Sequence, residues 1–346
     1  MNIEKLKKVL QEKNQPAFRL KQIQKAVFQE DIVSFSEIST IAKDLREFLE
    51  KEMKILFLEP VNILVSKNGD SIKALLKTSD DNFIETVLLS SSDLENEKRS
   101  WSACVSSQIG CAMGCRFCAT GKMGFKRNLT AEEITDQILF WKQYLKKLKN
   151  NSISNIVYMG MGEPFLNWEN VSESLKILTS KDLFGFGSRS LSVSTSGIAE
   201  GILKLAEEFP QVNLAISLHF PDDEKRSEFM PVNKKDNLEK IKEALQKYFQ
   251  KTKRKVFVEY ILLDGINDSE KDAEKLAKYL HSIGNAHLLH INLIRYNMTS
   301  ADFLPSSRNK AYIFKEFLSK RKINSTIRKS LGEEIQGACG QLAGKK

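Results

Sequence analysis

The chain has 346 residues, 41% apolar and 28% charged, with 53 basic against 44 acidic side chains and a net charge of +9. These values exclude a collagen-like, low-complexity or disulfide-dense chain, and no apolar run reaches the roughly 18 residues a membrane helix needs. The opening Met1-Asn2-Ile3-Glu4-Lys5-Leu6-Lys7-Lys8 lacks the apolar segment of a secretory signal. The expectation is therefore a cytoplasmic protein with reduced thiols and no membrane partner, whose basic excess is compatible with a nucleic-acid partner.

Residues 1–53 read as helices. Ile3, Leu6, Val9 and Leu10 share a face, as do Leu20, Ile23, Val27 and Phe28, and then Ile38, Ile41, Leu45 and Phe48. From residue 54 the period changes: 55–66, 71–78 and 83–90 are strand-like, with Asn68-Gly69 a hairpin signal between the first two. The polar run 91–100 reads as a linker, so a small β extension with its linker spans 54–97. In 98–329, predicted strands at 153–159, 189–195, 212–218, 255–263, 288–294 and 323–328 alternate with predicted helices at 130–149, 168–179, 199–208, 237–250, 268–282 and 307–321. Thr130 and Glu133 supply a capping box for the first helix. This alternation implies an α/β fold with a parallel sheet, either doubly wound or a full or partial barrel, whose sites form at the carboxyl ends of the strands. Residues 330–346 form a C-terminal loop.

The five cysteines are Cys104, Cys111, Cys115, Cys118 and Cys339. Cys111-Ala-Met-Gly-Cys115-Arg-Phe-Cys118 is a CxxxCxxC loop, and three thiolates at this spacing can hold three irons of a [4Fe–4S] cube and leave the fourth open. Structural zinc wants four closed ligands. Only His219, His281, His287 or His290 could complete such a set, and none is near in sequence. An open iron suits a chelating substrate such as S-adenosylmethionine, held through its amino and carboxyl groups.

An aromatic residue before the last cysteine, here Phe117, together with Met159-Gly160-Met161-Gly162-Glu163-Pro164 after a predicted strand, resembles the radical-SAM superfamily. At finer grain the chain resembles the RlmN/Cfr family of RNA adenosine C-methyltransferases, and RlmN more than Cfr. The resemblance covers nearly the whole length. It is carried by CVSSQIGCAMGCRFCATGKMGF (104–125), MGMGEPFLN (159–167), STSG (194–197), SLH (217–219), MPVNKK (230–235), NLIRYN (292–297) and ACGQLAG (338–344). It implies a radical-SAM partial (β/α)6-type barrel with an N-terminal helical accessory domain and a small β extension. It also implies a [4Fe–4S] cluster on Cys111, Cys115 and Cys118, and S-adenosyl-L-methionine contacted by Gly162, Glu163, Ser194, Ser217, Leu218, His219 and Asn297. Cys339 would be the methyl carrier, and Glu85, in Glu85-Thr86-Val87, the acid/base residue.

The implied reaction is methylation of C2 of adenosine 2503 in 23S rRNA, with C2 of tRNA adenosine 37 a second target. Pro164 and Ser196 look RlmN-like, whereas Arg295-Tyr296-Asn297 looks Cfr-like, and the Cfr alternative is C8 methylation of the same adenosine. Ser330-Leu331-Gly332-Glu333 departs from the Arg-Gly-Asp-like residues usual in the family. The ring carbon is not nucleophilic, so a simple displacement on the cofactor's methyl group fails. In the implied mechanism the Cys339 thiolate takes a methyl group from one cofactor molecule. A deoxyadenosyl radical from a second activates that group for addition to the ring, giving a protein–RNA thioether. Three of the five cysteines being taken by iron, Cys104 is the thiol left to resolve the adduct through a Cys104–Cys339 disulfide. Gly337, Gly340 and Gly344 suggest that Cys339 rides a mobile loop. Expected partners are the RNA and an electron donor such as flavodoxin or ferredoxin, and the expected state is a monomer. Candidate RNA contacts are Lys122, Phe125, Lys126 and Arg127, then Arg19 and Lys21, and Arg328 and Lys329. A reading from another class is a non-catalytic iron–sulfur or zinc RNA-binding module, which needs neither Cys339 nor the GMGE segment.

Overall fold

The computed structural model describes residues 1–90, 99–148, 151–299 and 303–344. Three helices come first: α1 (Ile3–Glu12), α2 (Phe18–Phe28) and α3 (Lys43–Glu52). The strands are β1 (Glu59–Val65), β2 (Ser71–Lys77), β3 (Phe83–Ser90), β4 (Arg99–Cys104), the short β5 (Gln108–Gly110) and β6 (Phe125–Asn128), β7 (Asn151–Tyr158), β8 (Leu191–Thr195), β9 (Asn213–Ser217), β10 (Val256–Leu262), β11 (Leu289–Arg295) and β12 (Asn324–Ile327). Between them lie α4 (Ala119–Lys122), α5 (Ala131–Lys146), α6 (Trp168–Thr179), α7 (Ala199–Glu208), α8 (Asp223–Phe229), α9 (Leu238–Lys251), α10 (Glu270–Ile283) and α11 (Arg308–Lys320).

Among the described residues one sheet runs in the order β1-β2-β3-β4-β7-β8-β9-β10-β11-β12, and β5 and β6 pair separately. From β4 to β12 every neighbouring pair is parallel, and helices fill the crossovers. β1, β2 and β3 are antiparallel, and β3 joins β4 directly. The β extension is thus a continuation of the barrel sheet.

The expected strands and helices appear, with β4, the β5–β6 ribbon and the short α4 and α8 as additions. β4 begins at Arg99, where a linker was expected to run to residue 100; residues 91–98 of that linker lie outside the described residues. Its short, polar RSWSAC has no periodicity of its own and becomes a strand because β3 and β7 flank it. The β5–β6 ribbon, α4 and α8 were also not expected. In the N-terminal zone α3 starts at Lys43. Ile38 and Ile41 precede it, although both are buried. A capping box between Ser34 and Glu37 and the Glu50 carboxylate, which accepts from the Phe35 N–H at 2.8 Å, hold that segment in a short turn.

Inward and outward faces alternate along the parallel strands. On β10, Tyr260 packs outward on Phe314 of α11 with ring centroids 5.1 Å apart. On the other face Phe257 meets His290, and Glu259 meets Asn292 of β11. A parallel strand buried on both faces is usually apolar throughout. Here the inner face carries polar groups, as a barrel interior lined for a polar ligand requires. The outer core is closed by side chains such as Trp141, 0% exposed, whose indole N–H donates to Thr86 at 3.0 Å.

Candidate active site

The cysteine loop leaves the carboxyl end of β4, where the interior opens. The Val105 N–H donates to Val157 O, and the Gly160 N–H to Val105 O, so the GMGE segment after β7 lies against the start of the cysteine loop. Gly162 has φ +101°, and a Cβ there would sit 2.5 Å from the Gln108 side chain, so only glycine fits. Gln108 in turn accepts from the Glu163 N–H at 2.8 Å.

Glu163 is 3% exposed. Its carboxylate accepts from the Ser196 N–H (2.7 Å), the Ser196 hydroxyl (2.8 Å) and the Phe165 N–H (3.1 Å). Burial raises its pKa, and these donors counter the rise. Ser194 is buried at the end of β8, Ser217 half-buried at the end of β9, and Leu218 and His219 are buried just beyond. His219 has φ +57° and accepts from the Ile261 N–H on Nδ1 at 3.1 Å. Burial, with Arg226 nearby, lowers its pKa to about 3, so the ring is neutral.

Cys111 and Cys115 are buried and Cys118 half-buried. Burial pushes the Cys111 thiol up to about 12, with Glu163 and Cys118 adding to the rise, and pushes the Cys115 thiol well above the usual range, with Cys118 and Cys111 adding. A metal must displace these protons on binding. The buried Arg226 opposes the rise at Cys115, as a counter-charge to an anionic cluster should. Among the described residues no three His, Cys, Asp or Glu side chains are drawn together as ligands of one ion; in a cube each thiolate sits on a different iron. For the cofactor, Asn297 is 3% exposed, and its Oδ1 has no hydrogen-bond partner among the described residues. It is an acceptor awaiting a donor, of the kind an adenine amino group or ribose hydroxyl offers. The residues present therefore fit both groups.

Cys339 reaches the same opening from the C-terminus. Its carbonyl accepts from Asn297 Nδ2 at 3.1 Å. The side chain is exposed yet crowded by protein, as on a wall of the open interior, and burial and the Glu259 carboxylate both raise its pKa. Cys104 is buried at the end of β4, and burial pushes its thiol up, with the Cys339 sulfur adding to the rise; both cysteines are free thiols. The loop is tied down rather than loose. Ala119 N–H donates to Gly340 O (2.8 Å), the Thr120 hydroxyl to Leu342 O (2.6 Å), and Gln341 to Met298 O (2.9 Å). Gly340 and Gly344 take the expected positive φ; Gly337 does not.

Glu85 is drawn to this loop, with its carboxylate engaged by Lys73 and by the N–H groups of Ala343 and Gly344. Three residues not singled out in the sequence support the site. Arg226, 0% exposed, donates to the carbonyls of Ser196 (2.5 Å) and Leu218 (3.2 Å) and to Asn233 (2.8 Å) of the MPVNKK segment. Glu259, 7% exposed, has its pKa raised to about 7 by burial and takes one hydrogen bond from Asn292 at 2.8 Å. Gln108 bridges the β5–β6 ribbon to Glu163. Among the RNA candidates, Arg127 is committed to Asp80 (2.7 Å) and Glu133 (2.8 Å), and Arg19 to Gln22 and the Thr40 carbonyl, so both serve the fold. Phe125, on β6 with Arg127, stays 46% exposed.

The parallel barrel and the cysteine loop at its carboxyl end define a radical SAM protein, and the sequence model of the Radical SAM superfamily matches residues 105–277. The ribosomal RNA large subunit methyltransferase Cfr of Shouchella clausii is 39% identical over 348 residues, covering 99% of this chain and 95% of that protein. That of Clostridium botulinum (strain Langeland) is 42% identical over 341 residues, with 98% and 96% covered. A crystal structure of a radical SAM methyltransferase from Sphaerobacter thermophilus superposes with a TM-score of 0.92 at 37% identity, covering 100% of this chain and 98% of that one. The chain belongs to the RlmN/Cfr family of radical SAM methyltransferases.

Proposed function

We propose that the chain methylates C2 of adenosine 2503 in 23S rRNA, with C2 of tRNA adenosine 37 a second target, and that Cys339 carries the methyl group. The observation that carries this reading is the seat of Cys339: an exposed thiol whose own backbone carbonyl is held by Asn297, on a loop tied to Ala119 and Thr120 next to the cysteine loop. A bound cube and S-adenosylmethionine supply the methyl group and the 5′-deoxyadenosyl radical that acts on it. The chain's own residues do the rest. Glu163, Gly162, Ser194, Ser217, Leu218, His219 and Asn297 line the cofactor's place, Cys339 presents sulfur, and Cys104 resolves the thioether. An RNA base entering this opening must leave its stack.

The C2 reading is supported by Pro164 and by Ser196, whose N–H and hydroxyl both hold Glu163. Two observations favour a second reading, C8: the relatives named above are called Cfr, and Arg295-Tyr296-Asn297 is Cfr-like. The protein works as a cytoplasmic monomer fed by flavodoxin or ferredoxin in this account; among the described residues no helix is long and apolar enough to cross a membrane. Chromatography of digested rRNA and tRNA against authentic 2-methyl- and 8-methyladenosine tests it. A 2-methyl product supports the proposal, and an 8-methyl product moves the chain to the second reading.

A further inference from the structure

Glu85 sits on β3 opposite Leu75 of β2, with Lys73 one diagonal step away on the same face. The pair is nearly buried, the Lys73 and Glu85 side chains being 10% and 4% exposed. Both carboxylate oxygens are taken. Oε1 meets Lys73 Nζ at 2.8 Å. Oε2 accepts from the N–H groups of Ala343 at 2.6 Å and Gly344 at 3.1 Å. Lys73 also donates to the carbonyl of Gln336 at 3.3 Å. The two side chains therefore grip the C-terminal loop on both sides of Cys339.

The rest of Glu85 is equally fixed. Its N–H donates to Met161 Sδ at 3.3 Å, and its carbonyl accepts from the Ser106 hydroxyl at 2.6 Å. The carboxylate's position is thus set by the GMGE segment and the start of the cysteine loop, the same elements that frame the cofactor's place. The carboxylate accepts from one cation and two amides, all of them on or beside the C-terminal loop, the pattern of an anchor.

We propose that Glu85, paired with Lys73, is a positioning residue that clasps the C-terminal loop and so sets Cys339 in the barrel opening; this rests on the reading of Cys339 as methyl carrier. Without the clasp the loop keeps its holds on Ala119, Thr120 and Asn297 but loses those beyond Gly340 on the β extension. A small displacement of a reacting sulfur slows its reaction steeply.

The test uses full-length protein, loaded anaerobically and given S-adenosylmethionine without RNA. Mass spectrometry follows methylation of Cys339, and hydrogen exchange follows the Ala343 and Gly344 amides, at matched iron content and circular dichroism. Glu85→Ala is expected to slow Cys339 methylation by roughly ten-fold or more and to deprotect both amides. Glu85→Gln keeps an oxygen that accepts from both N–H groups, and is expected to restore the rate to within roughly three-fold of wild type and to keep the protection. Glu85→Ala methylating Cys339 at the wild-type rate with protected amides, while RNA turnover is lost, overturns the clasp and leaves Glu85 with the acid/base role alone. Equal loss in both variants with protection intact also overturns it. Wild-type protein that never methylates Cys339 counts against the methyl-carrier reading instead, and amide exchange alone then decides for or against the clasp.

Discussion

Asn297 and Cys339 are joined directly: the Asn297 side-chain amide donates to the Cys339 carbonyl at 3.1 Å, while Asn297 Oδ1, buried, has no donor among the described residues. In the proposed function this one side chain holds the Cys339 loop with its nitrogen and offers its oxygen to the cofactor. A buried hydrogen bond of this kind is worth about 1–3 kcal/mol when one partner is lost. Asn297→Ala should therefore weaken S-adenosylmethionine binding by roughly ten-fold, read by equilibrium dialysis of the loaded protein. Unchanged affinity would detach Asn297 from the cofactor.

The cysteine loop makes a sharper claim about metal. Anaerobically reconstituted protein should hold one [4Fe–4S] cluster, and alanine at Cys111, Cys115 or Cys118 should each abolish it, because three thiolates leave no spare ligand. Iron and sulfide analysis with electron paramagnetic resonance of the reduced protein checks this. Tightly bound zinc in place of iron would contradict it.

Glu259 gives a pH dependence. Its pKa is raised by burial to about 7, from 4.5. The folded state therefore favours the protonated form, and the stability this contributes is present below about pH 4.5 and lost as pH rises through about 7. Glu259→Gln keeps the neutral shape, so it should raise the thermal midpoint at pH 8, by the equivalent of about 3 kcal/mol, with most of the gain lost by about pH 5 and the rest below about pH 4.5. A gain that did not vary with pH would show that the carboxylate is not confined as described.

Arg127 should behave as a structural clasp. It spans Asp80 and Glu133, and Glu133 also caps α5. Arg127→Ala should destabilise the fold by about 2 kcal/mol and leave the salt dependence of RNA binding unchanged. A lower salt slope with unchanged stability would restore Arg127 to the RNA interface.

Much of the barrel was legible because its helices carry clean periodicity: α6 and α7 occupy the residues their apolar spacing predicts. β4 was hidden because six polar-rich residues become a strand only between β3 and β7. The cysteines and the GMGE segment announce themselves by spacing, and the structure brings them together at one end of the sheet. Glu259 was lost within the apolar run VFVEYILL, although an acid at an inward register of a parallel strand is a signal in principle. Arg226 looked like a surface residue of a charged stretch, and its burial arises from Ser196, Leu218 and Asn233 converging on it. The tie from Glu85 to Ala343 joins residues 258 positions apart, and no local pattern encodes it.

The proposed chemistry turns on one carbon that bridges the Cys339 sulfur and the RNA base before Cys104 releases it. Cys104→Ala protein, loaded anaerobically and incubated with an rRNA fragment and S-adenosylmethionine, should retain the RNA as a covalent adduct at Cys339 on a denaturing gel, because the resolving thiol is gone; Cys339→Ala should give neither adduct nor methylated RNA. Full turnover by the Cys104→Ala variant with no retained RNA, or methylated RNA from Cys339→Ala, would contradict the account.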